Sequence, residues 1–292
     1  MSPLLFGLTF YFLINYIRSG LSRIWLGAFT GLSLSATLLT KISNLPLLFI
    51  AIFFLAYYIF KLSKTEKSVY IKQSAGIFFI CLLSPLVFWF TWNLSAFGDL
   101  TGSACKIQFL GWTYKSFPDW FHHPIFTLHG AFVFLNALIT SFWRGELVWG
   151  QELLAMKVND NFYLYSSLIL LLIGTISFRK KLNSFQQKAN RFSISSFLSA
   201  ILFFAILSII FDFNNCPNPS KEYPYFCSGR LMSGSLFPFM IMYIQGLQIA
   251  LTWIKNELFQ FGILVAIILF YTISEIIINW PVFSNQYNFF HL

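Results

Sequence analysis

Four short links between long apolar runs carry most of the positive charge of this chain. Arg18 and Arg23 form the first. Lys61, Lys64, Lys67 and Lys72 form the second. Arg179, Lys180, Lys181, Lys188 and Arg191 form the third, and Lys255 stands in the fourth. Basic residues near span ends are retained in the cytoplasm. With all four links inside, twelve of the 19 Lys and Arg are cytoplasmic, joined by only Glu66 and Glu257 of the ten carboxylates. The other eight acids (Asp99, Asp119, Glu146, Glu152, Asp160, Asp212, Glu222 and Glu275) then face outward or lie at or within the outer leaflet. The working face is expected to be the outer one.

A soluble chain of 292 residues that is 57% hydrophobic and 10% charged has too little core to hide its apolar surface. The composition predicts an all-α, polytopic membrane protein. A β-barrel would show alternating segments of about ten residues, and these are absent. The net charge of +9 sits at span ends, where it sets topology and meets anionic lipid, so it does not point to nucleic acid.

The apolar runs predict eight spans, near 2–17, 24–40, 45–60, 73–92, 161–178, 193–211, 231–253 and 257–278. The run from Pro124 to Ser141 is set apart. If it crossed, the Arg179–Arg191 cluster would move outside. It is expected to be a re-entrant or interfacial helix inside a large outer region, about 93–160, with a second outer loop at about 212–230. Irregular backbone at membrane depth needs protein or a water-filled cavity around it. The chain reads as a single integral membrane domain, 1–292, with its amino terminus outside. One expectation from that topology is that Met1 lies within a longer ancestral chain.

Four constellations carry candidate chemistry. Gly27 to Ser33 forms a small-residue face for close helix packing, and Thr40-Lys41 begins a tight outer hairpin. A Lys there offers three donors to a phosphate, or it is an interfacial lysine whose charge reaches for water. Trp92-Asn93 to Gly102 turns at two glycines and contains Asp99, either a catalytic carboxylate or the cap of a following helix. Trp143, Arg144, Glu146, Trp149 and Glu152 interleave aromatic faces with hydrogen-bonding groups, as a sugar ring requires. An interfacial belt with a local ion pair explains the same residues. Finally, Ser228-Gly229-Arg230 opens a span at its outer end, where Arg230 is a bidentate phosphate ligand or an anchor. Lys41 and Arg230 are placed at one depth and can share a lipid phosphate. Cys216 and Cys227 lie in one outer loop and are a disulfide candidate in an oxidising compartment. His122-His123 has no partner ligands in sequence, so no metal and no cofactor is expected.

The order of Thr40-Lys41, Trp92-Asn93…Phe97-Gly98-Asp99 and Ser228-Gly229-Arg230…Pro238 resembles the membrane-embedded GT-C glycosyltransferases. That superfamily includes the protein O-mannosyltransferases and the lipid A aminoarabinose transferases. The likeness covers roughly residues 20–255, with Leu231 where the family has Tyr. It implies transfer of a sugar from a polyprenyl-phosphate donor to an extracytoplasmic acceptor, in a bacterial inner membrane. It also implies that Lys41 and Arg230 bind the donor phosphate. The family's catalytic base is one or two acids in a first outer loop, which this chain lacks, so Asp99 and Glu146 are the candidates for a substitute. Two other classes remain open: a non-catalytic lipid-binding membrane protein, and a transporter or lipid flippase.

Overall fold

The computed structural model describes residues 1–62, 68–149, 152–176, 183–213 and 219–287. Its helices are α1 (Ser2–Arg18), α2 (Ile24–Thr40), α3 (Leu45–Leu62), α4 (Ser68–Phe97), the short α5 (Ala104–Phe109) and α6 (Phe117–Trp120), α7 (Leu128–Arg144), α8 (Lys157–Ile176), α9 (Ser184–Ile210), α10 (Leu236–Thr252) and α11 (Glu257–Phe283). A helix stands at each of the eight predicted spans. Among the described residues, five stretches are long and apolar enough to cross a bilayer: Ile42–Leu62, Val69–Phe97, Phe185–Ile210, Gly229–Thr252 and Glu257–Phe283. Helix α2 is apolar but shorter. The chain is therefore an all-α, multi-pass membrane protein, with five of the eight predicted spans meeting that length and hydropathy among the described residues.

Several boundaries move from their predicted places for local reasons. Helix α9 starts well before residue 193 because Asn183 and Gln186 form a capping box. Lys188 and Arg191 therefore ride on the helix rather than in the link. Helix α4 continues to Phe97 and stops at Gly98, whose φ of +69° only glycine adopts without strain. The region between α4 and α8, expected at about 93–160, so shrinks to about 98–156. Within it, α7 is a full helix that begins after Thr127, whose hydroxyl accepts from the Gly130 N–H at 3.0 Å.

Two apolar cores share α9. One gathers Phe6, Leu13, Leu34, Leu47 and Phe78 of α1 to α4 around Phe192. The other gathers Phe134, Leu138, Phe239 and Tyr243 of α7 and α10 around Phe197 and Phe204. In lipid, helices gain little from burying apolar area against one another, so close approach and hydrogen bonds hold them. Gly27 and Gly31 let α2 lie against the backbone of α4. A Cβ on Gly27 would stand 2.8 Å from the Ser74 carbonyl oxygen, and one on Gly31 would collide with the Phe78 carbonyl. Tyr16 and Ser74 share a hydrogen bond of 2.8 Å, and Thr9 and Thr37 one of 3.0 Å. Gly174 and Gly246 make the equivalent close contact between α8 and α10.

Described basic residues from different segments come together on aromatic rings at one end. The Arg18 guanidinium lies 5.2 Å from the centroid of the Phe185 ring, and the Lys188 ammonium 5.1 Å from that of Tyr58. At the opposite end, residues 113–125 meet residues 211–212 and 224. β1 (Thr113–Tyr114) pairs antiparallel with β4 (Phe211–Asp212). Buried His123 accepts from the Ile125 N–H at 3.0 Å and meets the Pro224 carbonyl, also at 3.0 Å, through its other ring nitrogen. Burial is the main reason its pKa is lowered. Gly31→Leu is expected to destabilise the protein by about 1–3 kcal/mol through overpacking. Gly76→Leu, with nothing within 4 Å of the new Cβ, serves as the control. Unfolding of both variants in detergent checks this, and equal stability of the two would refute the close α2–α4 contact.

Candidate functional site

At the end opposite the basic links, three segments meet. The first is the turn after α2, where Lys41 leads into a 3-10 turn at Ile42–Asn44. The second is Gly229–Ser235, which is also 3-10 rather than the first turns of an α-helix; α10 begins only at Leu236. Its geometry is imposed from outside. Gly229 lies against the α7 backbone at Ser141 and Phe142, and Gly234 lies against the Asn44 side chain. The third segment is the end of α7, where Gly145, at φ +79°, turns the chain and presents Glu146.

Side chains then lock these segments together. Lys41 Nζ donates to the Arg230 carbonyl, and Ser43 Oγ to the Leu231 carbonyl at 2.8 Å. Ser228 Oγ donates to Glu146 Oε2 at 3.0 Å instead of capping its own helical turn. Arg230 Nε stands 3.5 Å from the same carboxylate oxygen. The other oxygen, Glu146 Oε1, is buried and has no hydrogen-bond partner among the described residues. The Arg230 side chain keeps 75% of its surface exposed, so it is open to a ligand. The Lys41 pKa is lowered, first by burial and then by the Arg230 charge, against an opposing pull from Glu146. Two cations and one carboxylate thus share a single corner of the bundle.

The other predicted site residues have different fates. Asp99 Oδ2 accepts from the Ser103 N–H at 2.7 Å, the Ala104 N–H at 3.0 Å and Thr101 Oγ1 at 3.0 Å. These bonds hold its pKa below the usual carboxylate value, the Ala104 N–H contributing most. Asp99 is engaged as a loop cap, and its contacts stay within its own loop. Arg144 is tied to Asp160, with Nε at 2.8 Å from Oδ1, and only 6% of its side chain is exposed. It also donates to the Gly145 carbonyl at 3.1 Å. Trp143 donates to Ser167 Oγ at 2.8 Å and stacks on Tyr271, with centroids 4.6 Å apart. Trp149 and Glu152 face each other across the β2 (Val148–Trp149) and β3 (Glu152–Leu153) hairpin. Trp143 and Arg144 are therefore committed to packing and an ion pair rather than presented to a cavity. Cys216 lies outside the described residues, and the disulfide candidate with it. Cys227 places its sulfur 3.9 Å from Tyr223 Oη, and burial pushes its thiol pKa up to about 11.

Sequence reasoning placed Lys41, Arg230 and Glu146 but missed the roles of Ser43 and Ser228. A hydroxyl within two residues of each predicted cation was the available signal. Comparison with protein-family models, curated proteins and solved structures finds no match for this chain.

Two outcomes are expected here. Asp160→Asn leaves Arg144 buried without its counter-ion and should destabilise the protein by about 3 kcal/mol. A double-mutant cycle with Arg144→Met measures the coupling, and additivity would sink the assignment. Cys227 should react with maleimide far more slowly than exposed Cys105 near neutral pH, and faster as pH approaches about 11. Labelling that appears only after a reductant is added would show instead a Cys216–Cys227 disulfide.

Proposed function

We propose that this protein is a membrane glycosyltransferase, moving a sugar from a polyprenyl-phosphate donor to an acceptor hydroxyl on the extracytoplasmic face of a bacterial inner membrane. In this reading all eight predicted spans cross the bilayer and the basic links are cytoplasmic. The observation that carries it is the meeting of Lys41, Arg230 and Glu146 at one outer corner. Two cations at the bilayer edge suit the phosphate of a lipid whose chain stays in the membrane.

Roles follow from the geometry. The donor phosphate takes the exposed guanidinium of Arg230 and the Lys41 ammonium, competing with the Glu146–Arg230 contact of 3.5 Å. The carboxylate so released, with Oε1 already unpartnered, accepts the proton of the acceptor hydroxyl. The new glycosidic bond forms from that oxygen to the sugar's anomeric carbon. The bond from that carbon to the phosphate oxygen breaks, and polyprenyl phosphate departs with the bonding electrons. The cations stabilise that leaving anion. Asp99, held as a cap, is the weaker candidate for the base. Arg144 and Trp143 brace the end of α7 from within the packed bundle, and Trp149 and Glu152 lie on the hairpin that follows it.

Purified protein is expected to bind undecaprenyl phosphate and to transfer a hexose or pentose from its undecaprenyl-phosphate ester. Lys41→Ala and Arg230→Ala should each weaken undecaprenyl phosphate binding by about tenfold, the worth of one charge-assisted contact. Glu146→Gln should leave binding in place and lower transfer by roughly 10²–10⁴-fold. Binding that is unchanged in both cation variants would remove the assignment.

A further inference from the structure

At the basic end, far along α1 and α2 from Lys41, the two helices frame a cleft of about 430 Å³ lined by Tyr11, Asn15, Arg18, Arg23 and Trp25. We propose that this cleft binds the phosphate headgroup of an anionic glycerophospholipid, with the acyl chains lying along the outer surface of α1 and α2.

The link between the helices has the character of a built mount. Gly20 and Leu21 both adopt left-handed backbone, with φ of +69° and +59°. For a residue with a Cβ this conformation is strained, so surrounding structure must enforce it. Leu21 is fully buried, and its N–H donates to the Tyr16 carbonyl at 3.1 Å. The tight link fixes how Arg18 and Arg23 stand at the two sides of the cleft. Among the described residues, the ion pairs are Arg144–Asp160 and Arg230–Glu146, so no carboxylate neutralises either arginine. Arg18 rests instead on the Phe185 ring, a contact that steadies the guanidinium without using its negative-ion affinity. Two arginines without counter-ions on one cleft, one of them steadied on a ring, suit a phosphate.

The surface below the cleft selects a lipid over a free anion. Leu4, Leu8 and Tyr11 recur at helical spacing on one exposed face of α1. Trp25, Phe29 and Leu32 do the same on α2. Phe12 and Phe29 stack between the two helices with centroids 5.3 Å apart. A charged cleft continuing directly into an apolar stripe matches a molecule that has a phosphate at one end and hydrocarbon at the other. Inorganic phosphate would use only the cleft.

Native mass spectrometry of the full chain tests this with two lipids of identical acyl chains, phosphatidylglycerol and phosphatidylcholine. Preferential retention of phosphatidylglycerol is expected. R18Q/R23Q should lose that preference by on the order of tenfold or more, while K61Q/K255Q, which removes as much charge from other basic links, should keep it. Equal retention of the two lipids by the wild-type protein overturns the proposal, whether or not R18Q/R23Q folds. So does an unaltered preference in R18Q/R23Q, or an equal loss in K61Q/K255Q. Displacement of phosphatidylglycerol by excess inorganic phosphate would assign the cleft to a free anion and would also overturn it.

Discussion

The backbone contact of Gly229 with α7 determines what the rest of the Lys41–Arg230–Glu146 corner can be. The Gly229 N–H donates to Ser141 Oγ at 2.9 Å, and that hydroxyl lies 3.3 Å from the Cys227 carbonyl. No side chain fits between them. This clamp fixes the strand of chain carrying Arg230 against the helix that delivers Glu146, so charges from sequence-distant segments meet at 3.5 Å. It also forces the 3-10 geometry that turns the Arg230 carbonyl toward Lys41. Loosening it would separate the cations from the carboxylate without touching any of the three.

The two ends of the bundle use charge in opposite ways. At one end, Arg18 rests on Phe185 and Lys188 on Tyr58, and among the described residues no ion pair holds either cation. At the other, cations and acids are interlocked in Arg144–Asp160 and Arg230–Glu146. A carboxylate beside a cation limits binding of another anion unless that anion competes for the same donors. Uncompensated arginines carry no such restriction. The same residue types therefore stand in different electrostatic surroundings at the two ends.

Much of the helical plan was legible in the sequence because it rests on local pattern. Apolar runs separated by basic links placed eight helices, and Gly98 and Gly102 marked real turns at φ of +69° and +67°. The Gly27-to-Ser33 face proved to be the close α2–α4 contact because small residues at helical spacing have that one main use in a bundle. Lys41 and Arg230 were legible as a pair through topology, which assigned both to one depth. What stayed hidden depends on contacts between segments. The ion pair of Arg144 is with Asp160 across the β2–β3 hairpin rather than with a neighbour in its own motif. The aromatic stack of Trp143 draws Tyr163, Tyr243 and Tyr271 from three other helices. Spacing cannot reveal either. Asp99 shows the reverse case: a capping residue has a local signature, and that reading described its bonds.

Helix α11 joins the bundle along a narrow seam. Only Ser274 and Ile278 are buried on it, with Tyr271 bonded to Tyr243 at 2.8 Å and Ser274 to Tyr163 at 2.7 Å. All of these lie in its second half. Upstream, Phe261, Ile268 and Leu269 are open to hydrocarbon. The helix thus carries two regimes of evolutionary freedom. Its first half admits any apolar substitution that keeps the length, while a few positions of its second half resist change. A drifting stretch followed by a fixed Tyr-x-x-Ser-x-x-x-Ile pattern is the trace this architecture would leave among diverged copies of the chain.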